Sequence, residues 1–298
     1  KTALFIIISD TDDTFNFFNP KAGISLKLAN ESQLYASFGI SNREPLRADM
    51  KEYIKDGKSG SDDIQPERLF DYEFGYRYAS ATLSFEANLY YMDYKDQLVQ
   101  TGELSSTAYK LQENVKDSYR MGIELSAAYT PLNWLRIDGN MTLSRNKIKN
   151  YTAHYSIYDN YSDTGWNLIE EDVEQFYKST DISFSPKVVG AGIVTVTPLK
   201  DLSFSFINKY VGSMYYNNRS EKENRPDDYF VANFSAQYTF QYDKIGAIDL
   251  RFFVNNYLNK RYVGNAWADD SKFADGKSYV GLYPQATRNI MAQVAIRF

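Results

Sequence analysis

A single histidine, His154, and the absence of cysteine limit the chemistry open to this 298-residue chain. A Ser/His/Asp triad needs an imidazole held by a carboxylate and aimed at a hydroxyl, and a Cys/His pair needs a thiol. One imidazole supports no His-based metal cluster, and without cysteine there are no thiolate nucleophiles, disulfides or thiolate-bound metals. Two carboxylates alone can hydrolyse glycosides, but no pair of acids is singled out by spacing. Acidic groups gather at 9–13 (SDTDD), 61–63 (SDD), 169–172 (IEED) and 269–270 (DD). Calcium takes several oxygen ligands, yet these spacings match no defined calcium loop and read as solvated loop charge. No catalytic residue, metal site or cofactor is assigned, and the chain is read as a protein that is not an enzyme.

What the chain has in excess is aromatic: 26 Tyr, 19 Phe and 3 Trp, 16% of all residues. Tyr151, Tyr155, Tyr158, Tyr161, Trp166, Tyr215, Tyr216 and Trp267 fall in long polar connections. Rigid rings there offer large contact area at low entropy cost, so they are the candidate ligand contacts. Packing of the rings on one another is the competing reading. The net charge of −5 and the lack of any basic run argue against nucleic acid as a partner.

The elements that must position these rings show a period of two. In 135–144 (LRIDGNMTLS), Leu135, Ile137, Gly139, Met141 and Leu143 alternate with Arg136, Asp138, Asn140, Thr142 and Ser144. Side chains of a strand alternate between its faces, so one face is apolar and the other wet. The pattern recurs at 33–41, 81–91, 120–130, 229–240, 247–256 and 288–298, and more weakly at 21–29, 67–79, 183–196 and 201–216, which predicts about eleven strands. Short turns near 29–32, 79–81, 131–133, 198–201 and 242–246 alternate with long connections at 42–66, 100–116, 149–181, 217–228 and 258–285. Outer-membrane barrels sort their connections in this way, and the strands are long enough to cross a bilayer, which takes about 9–11 tilted residues. The longest apolar run, 3–8 (ALFIII), is far short of a membrane helix. The best helical candidate, 165–178 (GWNLIEEDVEQFYK), lies inside a long connection.

The predicted fold is therefore an all-β antiparallel transmembrane barrel, with lipid on the apolar side and a hydrated lumen on the polar side. Glu86, Glu124 and Asp138 would face that lumen. Trp134, Tyr129, Tyr238, Tyr242 and Tyr257 suit the aromatic girdles at the two interfaces. Single-chain bacterial barrels use an even strand count. Either a strand at 3–9 (ALFIIIS) completes about twelve, or the chain is the C-terminal half of a larger barrel.

Four ordered stretches resemble the TonB-dependent receptors of the bacterial outer membrane. They are 19–45 (NPKAGISLKLANESQLYASFGISNREP), 65–78 leading into 88–99, 118–148, and the closing 250–267 followed by 279–298, with its Asn-rich break VNNYLNKRY, Pro284 before the last strand and a terminal Phe298. That terminus, with Ile290, Ala292, Val294 and Ile296 at alternate positions, resembles the signal read by the outer-membrane assembly machinery. The resemblance implies a barrel of about 22 strands around a plug, of which residues 1–298 supply the C-terminal portion. The N-terminal plug domain and the TonB box lie outside this chain, and residues 1–18 have no place in the pattern. It further implies active uptake of a scarce ligand such as an iron chelate (a siderophore), cobalamin or a glycan, energised by TonB through the N-terminal region. The partners implied are its own plug domain, outer-membrane lipid and lipopolysaccharide, and the assembly machinery. The alternative expectation is a passive, porin-like or translocator barrel of about twelve strands.

Overall fold

Pro, Asn, Asp and Gly at the tight turns and β-branched or aromatic residues between them give strands throughout, as their backbone preferences dictate. The computed structural model describes residues 14–47, 49–50, 64–104, 110–159, 165–243 and 246–297. The suggested strand at 3–9, the acidic groups at 9–13 and 61–63, Tyr161 and Phe298 lie outside the described residues. In chain order the strands are β1 (Lys21–Ala29), β2 (Ser32–Arg43), β3 (Glu67–Ala79), β4 (Leu83–Leu104), β5 (Lys110–Leu132), β6 (Leu135–Tyr158), β7 (Leu168–Asp181), β8 (Val188–Leu199), β9 (Leu202–Val211), β10 (Tyr229–Tyr242), β11 (Gly246–Asn255), β12 (Val263–Phe273), β13 (Ser278–Pro284) and β14 (Asn289–Arg297). A 3-10 turn spans Lys222–Asn224. Among the described residues no helix is long and apolar enough to cross a membrane.

Eleven strands form one wall, in the order β1-β2-β3-β4-β5-β6-β8-β9-β10-β11-β14, and every pairing along it is antiparallel. This matches the expected strand number. Register carries the apolar face from strand to strand without interruption. Leu26 faces Leu34, Phe74 faces Leu89, Leu89 faces Ile123, Ile123 faces Leu143, and Leu143 faces Val188. Farther along, Phe206 faces Phe234, Phe252 faces Ala236 and Leu250 faces Val294. The rows include Ile24, Phe74, Leu89, Met141, Leu143, Phe252 and Ile296, all exposed. A one-residue slip anywhere would turn a strand inside out, so the pattern itself specifies the register. On the opposite face lie Glu73, Glu86, Glu124, Asp138, Asn140, Ser205 and Gln237. There Arg77 pairs with Glu86 at 2.8 Å, and the Tyr35 hydroxyl donates to Glu86 at 3.0 Å.

Aromatic rows bound the apolar band. Phe38, Tyr72, Tyr91 and Tyr119 form one chain of rings across β2 to β5, with centroids 4.9, 6.4 and 6.1 Å apart. At the short-turn end Tyr129, Trp134, Tyr238 and Tyr242 are exposed on the same wall, as the girdle reading requires. Tyr257, by contrast, lies in the turn after β11 at the other end, its amide donating to Ala232 O.

The wall is an open arc rather than a ring: β1 and β14 are its two rims and do not pair with each other. All nine β1 residues are exposed, as are eight of the nine in β14.

Beyond the membrane the strands continue. β4, β5 and β6 run 22, 23 and 24 residues, about 75 Å of extended chain at about 3.3 Å per residue, against a hydrocarbon core of about 30 Å. Much of the connection expected at 100–116 is thus strand, with β4 running to Leu104 and β5 starting at Lys110. Asp96 in β4 and Asn150 in β6 take left-handed backbone (φ 51° each), which Asp and Asn tolerate better than most residues. Asp96 falls between the pairs Lys95↔Asp117 and Gln97↔Val115, and Asn150 follows Lys149, which also faces Asp117. The two bends therefore flank β5 at one level and mark where wall becomes cap.

Residues 165–178, the best helical candidate, instead contribute most of β7, which pairs with the upper half of β6 from Lys147↔Asp181 to Tyr158↔Leu168. β6 leaves β8 behind at Leu143, so its unpaired backbone edge takes up the nearest extended segment, and that pairing overrides a weak local preference. The connection expected at 258–285 likewise folds into the β12–β13 hairpin, which reaches across β8, β9 and β10 to pair with the tip of β6 at Lys272↔Ile157 and Phe273↔Tyr158. The hairpin roofs part of the mouth.

The two clusters of buried apolar residues sit in this cap, while Val211, Val231 and Ala232 are buried singly at the ends of β9 and β10 nearest it. One cluster is Val99, Val115, Ile148 and Ile182 with Tyr151 against it; a second is Tyr216, Ala266 and Ala268 with Phe184 and Val280. A wall with lipid on one side and water on the other has no dry interior of its own, so among the described residues the clustered apolar packing lies where loops and strand extensions cover one another.

Candidate functional site

The cap gathers most of the predicted ring residues. Tyr158 meets Trp166 edge-on at 5.9 Å, Trp166 meets Phe273 at 5.1 Å and 89° and Tyr279 at 5.5 Å, and Tyr279 meets Trp267 at 5.3 Å. This run of five rings joins the end of β6 to both strands of the roof hairpin, and Tyr279 is 45% exposed. Trp267 lies flat over Gly281, its direct partner across the hairpin; a Cβ there would meet the indole Nε1 at 2.0 Å. Only glycine leaves room for the ring.

Tyr155 has a different task. Its hydroxyl donates to Gln175 Oε1 at 3.1 Å, and its ring lies under Lys272 Nζ at 4.3 Å and the Arg219 guanidinium at 5.3 Å. Those cations share Glu221: Arg219 Nε donates to Oε2 at 3.0 Å and Lys272 Nζ lies 2.5 Å from Oε1. Asn224 Nδ2 also donates to Glu221 Oε2, and Arg219 donates to Ser278 Oγ, both at 3.0 Å. The Arg219 side chain is 1% exposed, so its charge is sustained by this carboxylate and by the ring face. Nearby, Tyr151 donates to Glu113 Oε1 at 2.8 Å and stacks on Tyr177. Burial, assisted by the Glu221 charge, pushes the Tyr177 phenol up to about 12.

Tyr216 is 2% exposed and belongs to the second apolar cluster; burial, then the nearby Asp227 charge, raises its phenol to about 12. Tyr215 is half-buried and offers its backbone carbonyl to Phe184 N. Of the eight candidates, then, Tyr158, Trp166 and Trp267 form an aromatic platform. Tyr151, Tyr155 and Tyr216 are built into the packing, Tyr215 stands apart, and Tyr161 lies outside the described residues. His154 is exposed on β6 opposite Glu174. No group of three His, Cys, Asp or Glu that could hold a metal occurs among the described residues.

Spacing along the chain did not reveal a cavity of about 500 Å³ beside Tyr216. The segment between β9 and β10 brings Glu223, Arg225, Asp227 and Asp228 to it. The turn after β11 brings Lys260, Arg261 and Tyr262, and β13 supplies Leu282 and Pro284. Tyr210 donates to Asp228 at 2.9 Å, Arg225 Nε donates to Ser213 Oγ at 2.7 Å, and Tyr229 stacks against Tyr262 at 4.5 Å. Three cations and three carboxylates around an apolar floor suit a polar ligand with anionic groups and an aromatic or aliphatic body. The density of charge at 219–228 was the available signal. The meeting of Tyr155, Arg219, Glu221 and Lys272 draws on three connections and leaves no trace in spacing.

The turn that carries Lys260 and Arg261 is held by Asn256, itself left-handed (φ 49°) and 3% exposed. Its Nδ2 donates to Lys260 O at 2.8 Å and to Ala286 O at 3.2 Å, its Oδ1 accepts from Lys260 N at 2.9 Å, and its own amide donates to Asn233 Oδ1 at 2.7 Å. This knot gives a physical reason for the Asn-rich break in VNNYLNKRY.

The architecture is shared with solved receptors. The chain is similar to the ferric-catecholate import receptor Fiu of E. coli K12 (17% identity, TM-score 0.62, 93% of this chain and 34% of that one). It is similar also to the ferric yersiniabactin uptake receptor FyuA from Yersinia pestis (16%, 0.62, 93% and 37%) and to the copper transporter OprC (19%, 0.62, 92% and 39%). It thus spans between a third and two-fifths of each; at these identities the likeness is one of fold. A comparison with curated proteins finds no match. Residues 2–257 match the family model described as TonB dependent receptor-like, beta-barrel. With the open eleven-stranded wall, its one-sided connections and that match together, the chain belongs to the TonB-dependent receptors, β-barrel proteins of the bacterial outer membrane.

Proposed function

We propose that the protein to which this barrel portion belongs takes up a scarce ligand, with an iron chelate favoured, across the outer membrane at the expense of energy delivered by TonB. The family match over residues 2–257 carries the reading. Ligand would settle at the mouth, on the ring platform of Trp166, Trp267 and Tyr279 and in the charged cavity around Arg225, Lys260 and Arg261. A plug domain supplied from outside residues 1–298 would fill the arc against the polar face, where Glu124, Asp138 and Asn140 offer breakable contacts. TonB, acting on that plug, would open the path. The iron-chelate preference draws support from Fiu and FyuA, named as receptors for ferric chelates; OprC, named as a copper transporter, shows the fold serving other cargo.

The test is uptake of radiolabelled ferric chelates by cells whose only receptor for them is the complete protein, with and without collapse of the proton gradient. Accumulation should stop on collapse and fall when Arg225 and Lys260 are both replaced by Gln. Uptake that continues unchanged without the gradient would leave a passive barrel as the function.

A further inference from the structure

The lipid-facing side of the wall carries a feature that uptake does not use. On β6 the register with β5 is unbroken from Tyr129↔Ile137 to Asp117↔Lys149, so Arg145, Lys147 and Lys149 continue outward the same row as Ile137, Met141 and Leu143. Lys187, just before β8, joins them; its carbonyl accepts from Ser144 N at 2.8 Å. Beneath these cations a groove of about 600 Å³ runs over Leu89, Tyr91, Met121, Ile123 and Leu143, with Arg145 and Lys187 at its head. Its level is fixed by the ring row of Tyr72, Tyr91 and Tyr119, and Lys149 Nζ stands 5.2 Å from the Tyr119 ring centre.

Charge decides what such a groove selects. Asp181 serves both Lys147 and Lys187, at 3.0 and 3.4 Å, and Arg145 pairs with no carboxylate among the described residues. Arg145 and Lys149 are exposed, and the Lys187 side chain is 56% exposed. Counting the neighbouring Lys95, five cations meet three carboxylates on this face, Asp181, Asp93 and Asp117, the last directly opposite Lys149, and the positive excess of two lies at the boundary where hydrocarbon gives way to headgroups. Lys95 itself is matched by Asp93 and Asp117. Hydrocarbon alone would accept any acyl chain, but basic side chains at that level attract phosphate.

We propose that this groove binds one phosphate-headed, multi-acyl glycolipid of the outer leaflet, with acyl chain along Leu89, Ile123 and Leu143 and phosphate between Arg145 and Lys187. The site stands on the outer-membrane placement of the wall and is independent of what the receptor imports.

The complete receptor, purified in detergent, is titrated with bisphosphorylated lipid A, and separately with phosphatidylethanolamine, and bound lipid is counted by native mass spectrometry. The variant R145E/K187E should weaken lipid A binding by about tenfold or more, since each basic group near a lipid surface contributes on the order of a factor of five. I123W, which fills the groove and leaves charge alone, should weaken it too, while both proteins keep the heat-modifiable gel migration of a folded barrel. Lipid A bound equally by R145E/K187E and the parent, or phosphatidylethanolamine bound as tightly as lipid A, would overturn the proposal.

Discussion

Replacing Asn256 by Ala removes the clasp under the charged cavity. Three side-chain hydrogen bonds disappear, those with Lys260 O, Ala286 O and Lys260 N. At about 1 kcal/mol net for each the loss is about 3 kcal/mol. Ala must also hold the left-handed φ of 49°, which adds about 1 kcal/mol, for a total of about 4 kcal/mol. Asn256→Gly loses the same bonds and not the backbone term, so it should fall about 1 kcal/mol short of Ala. The assay is urea-induced unfolding of the complete receptor in detergent, followed by its heat-modifiable migration, with parent, Ala and Gly forms compared side by side. The order parent, Gly, Ala in decreasing midpoint is expected. An Ala form that unfolds at the parent's midpoint, or a Gly form less stable than Ala, would refute the assignment of the clasp.

Two further outcomes follow from the cap. Glu221→Gln takes the carboxylate from Arg219 and Lys272 together; leaving buried charge unmatched costs about 3 kcal/mol, so limited proteolysis should cut the 212–228 segment and the roof hairpin much faster while the wall stays folded. The phenols of Tyr177 and Tyr216 titrate near pH 12 instead of 10.0. Because the folded value is the higher one, their favourable share is complete below pH 10 and is lost as pH rises toward 12. The double variant Tyr177→Phe/Tyr216→Phe should lack phenolate absorbance gained near pH 12 and none gained near pH 10, and it should lose less stability across that window; a deficit at pH 10 would contradict the burial argument.

The wall was legible because each of its strands answers to two solvents at once. Leu135 to Ser144 alternates at every position, as a strand with an apolar environment on one side and water on the other requires, and strand length with sorted connections made that environment lipid. The cap was not legible for the opposite reason. In β7, Val173, Gln175 and Tyr177 turn inward and Glu174, Phe176 and Lys178 outward, a mixture that neither period picks out; pairing with β6 decides its state. β12 carries Ala266 and Ala268 at 1% and 0% exposure, residues too small to advertise a buried face. Of the loop rings read as candidate ligand contacts, Tyr158, Trp166 and Trp267 join one platform with Phe273 and Tyr279. Sequence gave no means to separate them from Tyr151, Tyr155 and Tyr216, whose partners Glu113, Gln175 and Ala266 come from other elements. Lys260 and Arg261 escaped notice because nothing in the chain announces that residues 223–228 stand opposite them.

The two bare rims of the arc bear on how such a protein can reach its membrane. In hydrocarbon each unsatisfied amide or carbonyl costs several kcal/mol, and β1 and β14 each present a row of them. Under the proposed architecture the remaining strands of a closed barrel satisfy both rows, and that closure is what lets the wall live in lipid. Ile24, Leu26 and Leu28 on one rim and Ile290, Val294 and Ile296 on the other then act as tailor's marks: a seam sewn one stitch off would bury lysines in oil and send leucines to water.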